Sequence, residues 1–298
     1  MSGQTIAIQS PGDMGHGVGR DLVARGFQVV TCLAGRSQRS VGLAQSGGLE
    51  SVPDFETLVT RADLILSIVP PSSAVSLAQA MRAAMDAAGN YPAFADCNAI
   101  APSTAHTVAD CFDGVDATFI DAGIIGLAPG KSELPTRFYC SGPDVSGLET
   151  IAGGGIRVHP LGPNIGKASA MKMVYASVTK GTNALHAAAL TAAYRHQLFD
   201  TYQAEAGESL PGVWASMNRM VPRLALDAGR WVGEMHEIAE FFASSGVPNE
   251  FHRGAAKMFE LLNQTPIAAE TRETVDETRT LVDALVMYAE AAARLSSN

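Results

Sequence analysis

The sequence predicts an α/β fold: an N-terminal domain built on a mainly parallel sheet, followed by an all-α C-terminal domain. Three observations predict it. Short apolar runs alternate with helical patterns from Ile6 to Leu161. Glycine-rich turns punctuate that stretch and thin out after Asn164. Beyond that point strand patterns stop, and helical periodicity continues to the C-terminus.

The first element is the apolar run Ile6-Ala7-Ile8, which ends at Gln9-Ser10-Pro11-Gly12-Asp13-Met14-Gly15. Val18, Leu22 and Val23 then recur at helical spacing, Gly26 stops the helix, and Phe27 to Leu33 reads as a second strand. Strand, turn, helix and strand make the opening βαβ unit of a Rossmann dinucleotide-binding domain. Gly12 leaves room for a pyrophosphate to reach the N–H groups at the helix N-terminus, where the dipole favours negative charge. Gly15 lets the helix pack close to the strand. The cofactor-binding candidates here are Gly12, Asp13, Met14 and Gly15. The first glycine of G-x-G-x-x-G is absent, with Ser10 in its place.

The second strand runs into Ala34-Gly35-Arg36-Ser37-Gln38-Arg39-Ser40. An Asp or Glu about 20 residues after the turn would hold the ribose 2′-OH of NAD. This loop has no acid. Arg36 and Arg39, with Ser37 and Ser40, either clasp the 2′-phosphate of NADP through charge-assisted bonds or form a solvated polar loop. Their place at the strand end favours NADP over NAD.

Ser51 to Val59 supplies a linker and a short helix. Ala62 to Val69 reads as a buried strand that must stop at Pro70-Pro71, since proline cannot continue a central ladder. A helical pattern from Ser73 to Ala88 follows, then a strand from Tyr91 to Asn98, a helix from Ser103 to Cys111 and a strand from Thr118 to Gly126. Arg137 to Gly142 and Arg157 to Leu161 are further short strands. Ligands of such sheets sit at the carboxyl ends of the strands. That rule gathers Val69, Pro70, Asn98 and the loop Gly123-Ile124-Ile125-Gly126 on one rim. Asn98 either bonds a nicotinamide, ribose or substrate hydroxyl, or closes a strand-end Asx turn.

The composition changes near Pro163. This divides the chain into residues 1–163, a dinucleotide-binding domain, and residues 164–298, a helical domain for substrate and dimerisation. A long helix starts between Asn164 and Lys167 and runs past Ala193. At ~100° per residue, Lys172, Thr179 and Asn183 fall on one line, with Ser169, Tyr175 and His186 beside it. Alanine, methionine and valine surround this polar stripe, so the helix is expected to be buried on most sides. Lysines are seldom buried unless paired or functional, which makes Lys172 the functional candidate and leaves Lys180, off the line, as an ordinary residue. Further helices are expected over Pro211–Ala228, Arg230–Ser244, Glu250–Gln264 and Arg272–Leu295. In the second of these, Trp231 and Glu234 are candidates for the cleft, with a surface position the alternative for Glu234.

The chain has 298 residues, 47% of them hydrophobic, and a formal net charge of −9. That is ample for a sizeable core, and an acidic chain without a basic run argues against a nucleic-acid partner. Cys32, Cys97, Cys111 and Cys140 are widely spaced, which reads as reduced thiols of a cytoplasmic protein rather than a disulfide or zinc framework; no metal is expected. The start passes directly into a strand, so no signal peptide is expected. No apolar run approaches ~18–20 residues, and no membrane span is expected.

Together these segments resemble the β-hydroxyacid dehydrogenase superfamily, which includes 6-phosphogluconate and 3-hydroxyisobutyrate dehydrogenases, over nearly the whole chain. Gly12-Asp13-Met14-Gly15 resembles the family's G-x-G-x-M-G turn, and Val69-Pro70 its strand-end Leu-Pro. Asp96-Cys97-Asn98 with Pro102-Ser103-Thr104 is similar to D-x-S-T-x-x-P. Asp121 to Gly126 falls where the family has D-A-P-V-S-G. Gly162 to Gly166 followed by Lys172 resembles the Gly-rich approach to the helix bearing the family's catalytic lysine. Ile125 replaces the serine that contacts the substrate carboxylate, Tyr175 and Ala176 replace two asparagines, and Gly233 stands where a second lysine would sit.

The resemblance implies an NADP-dependent dehydrogenase or reductase acting on CH–OH, with Lys172 as general acid and base. It also implies a homodimer formed through the helical domain, since family relatives commonly pair there. Loss of the serine implies a substrate with an apolar or aromatic portion near Gly123, Ile124 and Ile125, with Tyr175, Thr179, Trp231 and Glu234 as further substrate candidates, or an acid group held elsewhere by Arg or backbone donors. Ile125 packing inward into the core is the plain alternative. The rival functions are an imine reductase-like enzyme and a non-catalytic NADPH-binding regulator.

Overall fold

A computed structural model describes residues 3–296, which fall into two compact units divided between Val174 and Tyr175. The first carries eight strands: β1 (Thr5–Gln9), β2 (Gln28–Cys32), β3 (Glu50–Val52), β4 (Leu64–Ser67), β5 (Ala93–Asp96), β6 (Phe119–Ile125), β7 (Thr136–Ser141) and β8 (Ile156–Pro160). They form one sheet in the order β3-β2-β1-β4-β5-β6-β7-β8. Every pairing is parallel except β6 with β7, so β7 and β8 run against the rest.

Helices α1 (Asp13–Ala24), α2 (Gln38–Ser46), α3 (Phe55–Arg61), α4 (Ala74–Ala88), α5 (Pro102–Asp110) and the single turn α6 (Ser146–Glu149) connect the strands. Strand alternation splits the core into two layers. On one face Ile6, Ile8, Leu64 and Leu66 pack with Val18 and Leu22 of α1; on this same face lie Ile120, Ala122 and Ile124 of β6, Phe138 and Cys140 of β7, and Ile156 of β8. On the other face Ala7, Ile65 and Phe94 pack with Leu58, Met81 and Val108 of the covering helices. Phe94, Phe112 and Phe119 form an aromatic cluster there, with centroids of Phe94 and Phe112 4.7 Å apart.

The long helix is α7 (Lys167–Arg195), which passes from the first unit into the second. The second unit continues with α8 (Phe199–Ser209), α9 (Pro211–Met220), a 3-10 segment over Val221–Asp227, α10 (Ala228–Ser244), α11 (Glu250–Leu262) and α12 (Leu281–Ser296). Trp231 of α10 packs edge-on against Phe259 of α11, and the buried Tyr288 hydroxyl of α12 donates to Val221 O at 2.8 Å.

Several elements differ from the sequence expectation. Gln38–Ser46 is a helix, because Ser37 caps it through Ser40 N at 3.2 Å and Ala44 is buried. Glu50–Val52 is an edge strand rather than a linker. Phe199–Ser209 is a helix whose polar sequence gave little apolar periodicity. Residues 272–280 are turns instead of helix, since Asp276 and Asp283 side chains accept from Thr278 and Thr280 backbone N–H groups and divert them from helical bonds. On α7, Val174, Val178 and Leu185 are 48%, 66% and 67% exposed, so the helix is not buried on most sides within one chain.

His252 of α11 and His186 of α7 are buried, and burial pushes both imidazoles below their ordinary pKa. The neutral ring is therefore the folded form. Unfolding takes up protons once the pH falls through the ordinary histidine range, so this stability is present above that range and lost below it. His252 packs against Phe242 with ring centroids 4.3 Å apart and the planes tilted by 42°. Thermal unfolding from pH 7.5 to pH 5 should show a falling Tm, and His252→Phe should flatten part of that slope. An unchanged slope would contradict the assignment.

Candidate functional site

The turn between β1 and α1 is shaped by what a side chain would strike. A Cβ on Gly15 would lie 2.3 Å from Ser10 O and 3.2 Å from Ile8 Cγ2, so only glycine lets the helix come this close to the strand. A Cβ on Gly12 would meet nothing within 4 Å. Gly12 is the N-cap of α1 and no side chain caps that helix. Open space in front of uncapped N–H groups fits a pyrophosphate. Met14 packs partly against the core. Asp13 is exposed and receives Arg39 Nη2 at 2.5 Å. Arg36 is half-buried, and among the described residues no acceptor engages its side chain. Ser37 is committed to capping α2. Thus Arg36 is the cation presented by this loop, while Arg39 neutralises Asp13.

Gln9, nearly fully buried, ties the ends of β1 and β2: its Nε2 donates to Cys32 O at 3.2 Å and its Oε1 accepts from Cys32 N at 3.4 Å. Asn98 does the same for β4 and β5. Its Nδ2 donates to Ser67 Oγ at 2.9 Å and to Asp96 Oδ2 at 2.8 Å, and its Oδ1 accepts from Val69 N at 2.6 Å. Both amide hydrogens are used inside the chain, so Asn98 orients the Val69-Pro70 loop.

The strand β6 and the start of α7 are joined by Asp121, the third residue of the strand, which is fully buried. Its Oδ2 accepts from Gly166 N (2.9 Å), Ala168 N (3.0 Å), Ser169 N (3.1 Å) and Ser141 Oγ (2.9 Å), and its Oδ1 accepts from Ser169 Oγ at 2.6 Å. A carboxylate from β6 thereby caps a helix forty-odd residues away and suits the positive end of its dipole. Lys172 follows on the same helix. A Cβ on Gly123 would sit 2.9 Å from Lys172 Cβ and 3.1 Å from Ala168 O, so glycine here lets α7 lie against the strand. Lys172 Nζ then donates to Ile124 O at 2.5 Å, at the carboxyl end of β6. Ile124 packs in the core, while Ile125 is 2% exposed on the α7 side of the sheet.

The remaining predicted residues lie in the second unit. Tyr175 is 41% exposed, and Thr179 Oγ1 donates back to Tyr175 O at 3.2 Å. Glu234 is buried between Lys180, with which it forms an ion pair, and Arg230 Nη1 at 2.6 Å. Lys180 Nζ lies 5.5 Å over the Trp231 ring, a cation–π arrangement. So Lys180 is no ordinary surface lysine. Sequence reasoning also passed over Asp121, Ser141 and Ser169 as a network. The signal was the acid two residues before Gly123 on a strand, which period-two alternation aims at the following helix.

Residues 5–147 match the NAD binding domain of 6-phosphogluconate dehydrogenase, and residues 193–262 match a domain of unknown function, DUF1932. The first domain is thereby related to the NAD-binding Rossmann domains of the 3-hydroxyacid and 6-phosphogluconate dehydrogenases. It is 29% identical over 160 residues to an uncharacterized 28.5 kDa protein of Methanothermus fervidus, a match spanning 53% of this chain and 59% of that protein. A conserved hypothetical protein of Sinorhizobium meliloti superposes with a TM-score of 0.64 at 21% identity, covering 97% of this chain and 96% of the other. The 3-hydroxyisobutyrate dehydrogenase of Mycobacterium tuberculosis also gives 0.64, at 18% identity, over 95% and 98%. The superfamily's Rossmann domain followed by a largely helical domain is the architecture of this dehydrogenase-like chain, and its first domain is of the NAD(P)-binding type. Among the described residues, no helix is long and apolar enough to cross a membrane.

Asp121→Asn would turn an NH2 group toward backbone N–H donors and remove the charge they share. The unfolding free energy should fall by about 3 kcal/mol, measured by urea denaturation. A loss under about 1 kcal/mol would show that the network is not holding α7.

Proposed function

We propose that this protein is an NADP-dependent oxidoreductase that interconverts a carbinol and a carbonyl, on a substrate with an apolar or aromatic portion. The observation that carries the reading is Lys172, held with its Nζ 2.5 Å from Ile124 O at the carboxyl end of β6, where ligands of open α/β sheets bind. Bound NADP accepts or supplies hydride at C4 of its nicotinamide. Lys172, in its amine form, takes the hydroxyl proton as the carbonyl forms; in the reverse direction its ammonium returns that proton to the oxygen.

The binding roles follow from the same rim. The uncapped N-terminus of α1, opened by Gly12, receives the pyrophosphate. Arg39 removes the repulsion that Asp13 would otherwise exert there. Arg36, at the end of β2 with no acid beside it, pairs with the 2′-phosphate. Gly123, Ile124 and Ile125 give the substrate a wall without a side-chain hydroxyl, which suits an apolar portion. The exposed Val174, Val178 and Leu185 recur along one side of α7 and support a homodimer that covers them, a state light scattering reads directly.

The test uses the purified full chain with NADP or NADPH and a panel of aryl and alkyl carbinols, their carbonyls, 3-hydroxy acids and cyclic imines. Turnover of a carbinol–carbonyl pair is expected, and Lys172→Ala should lower kcat by ~10²-fold or more while cofactor binding persists. Arg36→Ala with Arg39→Ala should weaken NADP by about 2–4 kcal/mol and leave NAD nearly unchanged. Undiminished kcat in Lys172→Ala would remove the proton role, and a wild-type preference for NAD would remove the phosphate role.

A further inference from the structure

We infer that Arg137 is a specificity-determining residue of this chain that takes a carboxylate over the β6–β7 end of the rim, in place of a side-chain hydroxyl on the loop after β6. The inference rests on the oxidoreductase reading above only in taking that carboxylate to belong to a substrate; the anion site itself stands on the geometry.

Arg137, the second residue of β7, lies directly opposite Ile125, the last residue of β6. Phe138 and Cys140 of β7, like Ile124 of β6, fill the core layer on the far face of the sheet. Alternation therefore turns Arg137 and Ile125 to the face on which Gly123 meets Lys172. Neighbouring strands lie ~4.8 Å apart, and Lys172 Nζ reaches Ile124 O, so Arg137 arises on the face and at the strand end that the lysine reaches.

The guanidinium is also held ready. A Cβ on Gly126, whose φ is +108°, would come within 3.3 Å of Arg137 Nη2, so the glycine turn leaves the space it lies in. Its Nη1 donates to Pro135 O at 3.0 Å, a bond that fixes the side chain without neutralising it. Among the described residues Arg137 forms no ion pair, and one of its donors is used. A half-buried arginine in a chain of net charge −9, with its planar fork uncommitted, is suited to a carboxylate gripped by two parallel N–H donors. This is the donor that Ile125 does not supply. The buried Ile125 beside it lowers the local dielectric, which strengthens the pairing.

Arg157 provides the control. It pairs in register with Arg137 on β8 and shares its face, but it is exposed and its Nη1 bonds Gly154 O and Ile156 O of its own loop. The experiment measures binding of unreactive aryl and alkyl carboxylates, each paired with its methyl ester, to NADP-loaded wild type, Arg137→Gln, Arg137→Lys and Arg157→Gln by calorimetry. Melting temperature and NADP affinity of each variant establish folding. At least one acid should bind wild type tenfold or more tightly than its ester, and that preference should vanish in Arg137→Gln, survive in part in Arg137→Lys and persist in Arg157→Gln. Loss in Arg157→Gln with retention in Arg137→Gln would overturn the proposal, as would wild type binding no acid better than its ester. If Arg137→Gln fails to fold, partial loss in Arg137→Lys supports the assignment and full retention of a bidentate-sized preference overturns it. Acid preference without turnover of any hydroxy acid or carbinol would overturn the oxidoreductase reading and leave the anion site standing.

Discussion

The structure depends on a single buried carboxylate. Asp121 has no solvent exposure, and an ionised group in that position would be costly to desolvate without compensation. The compensation is three backbone N–H groups and two serine hydroxyls, one from β7 and one from α7. If the acid were missing, Ala168 N would keep Ser141 Oγ at 3.0 Å while the other donors would lose this acceptor. Three elements distant in sequence are thus tied at one point, and the tie cannot be loosened by one member alone. The helix it caps is the one that carries Lys172, so the position of that lysine is set at the first turn of the helix, by a carboxylate on β6.

Glycine makes the second half of that arrangement possible. At Gly15 and at Gly123 any Cβ would strike backbone or an aliphatic stem, so α1 and α7 each approach the sheet more closely than other residues allow. At α1 the effect is to aim uncapped N–H groups over the strand ends. At α7 it brings a lysine stem flat against β6. The two helices approach the same edge of the sheet from opposite layers, one over the Ile6 and Ile8 face and the other over the Gly123 face.

Much of this was readable in the residues. The Gly12 to Gly15 turn, the stop at Pro70-Pro71 and the acid-free loop around Arg36 each act through local chemistry, and local chemistry is what a linear sequence displays. The change from strands to helices after Pro163 was equally plain. Elements held by tertiary contacts were not. The three-residue β3 exists because β2 offers it an edge, and α8 has little apolar stripe of its own. Residues 272–280 have helical composition, but aspartate side chains capture their backbone donors. The candidate site shows the same division. Lys172 stood out as a polar residue in an apolar helix. Lys180 looked like an ordinary residue, and Glu234 like a cleft or surface acid, because the ion pair that buries them joins two helices far apart in sequence.

Net charge is a poor guide to what the rim attracts. The chain is acidic overall, yet Arg36 follows β2, Arg39 stands in the first turn of α2, Lys172 of α7 reaches the end of β6 and Arg137 lies near the start of β7. At physiological ionic strength a charge is felt over roughly 8 Å, and β2 and β7 stand five strands, about 24 Å, apart, so an anion near Arg36 is screened from Lys172 and Arg137 and each end of the rim acts by itself. Asp13 is the exposed acid at the Arg36 end, and Arg39 neutralises it in place. Asp96 at the end of β5 and Asp121 within β6 are both buried and accept from donors of the chain. An acidic surface suits solubility, while a cationic edge selects anions; because screening separates the two length scales, one chain can hold both.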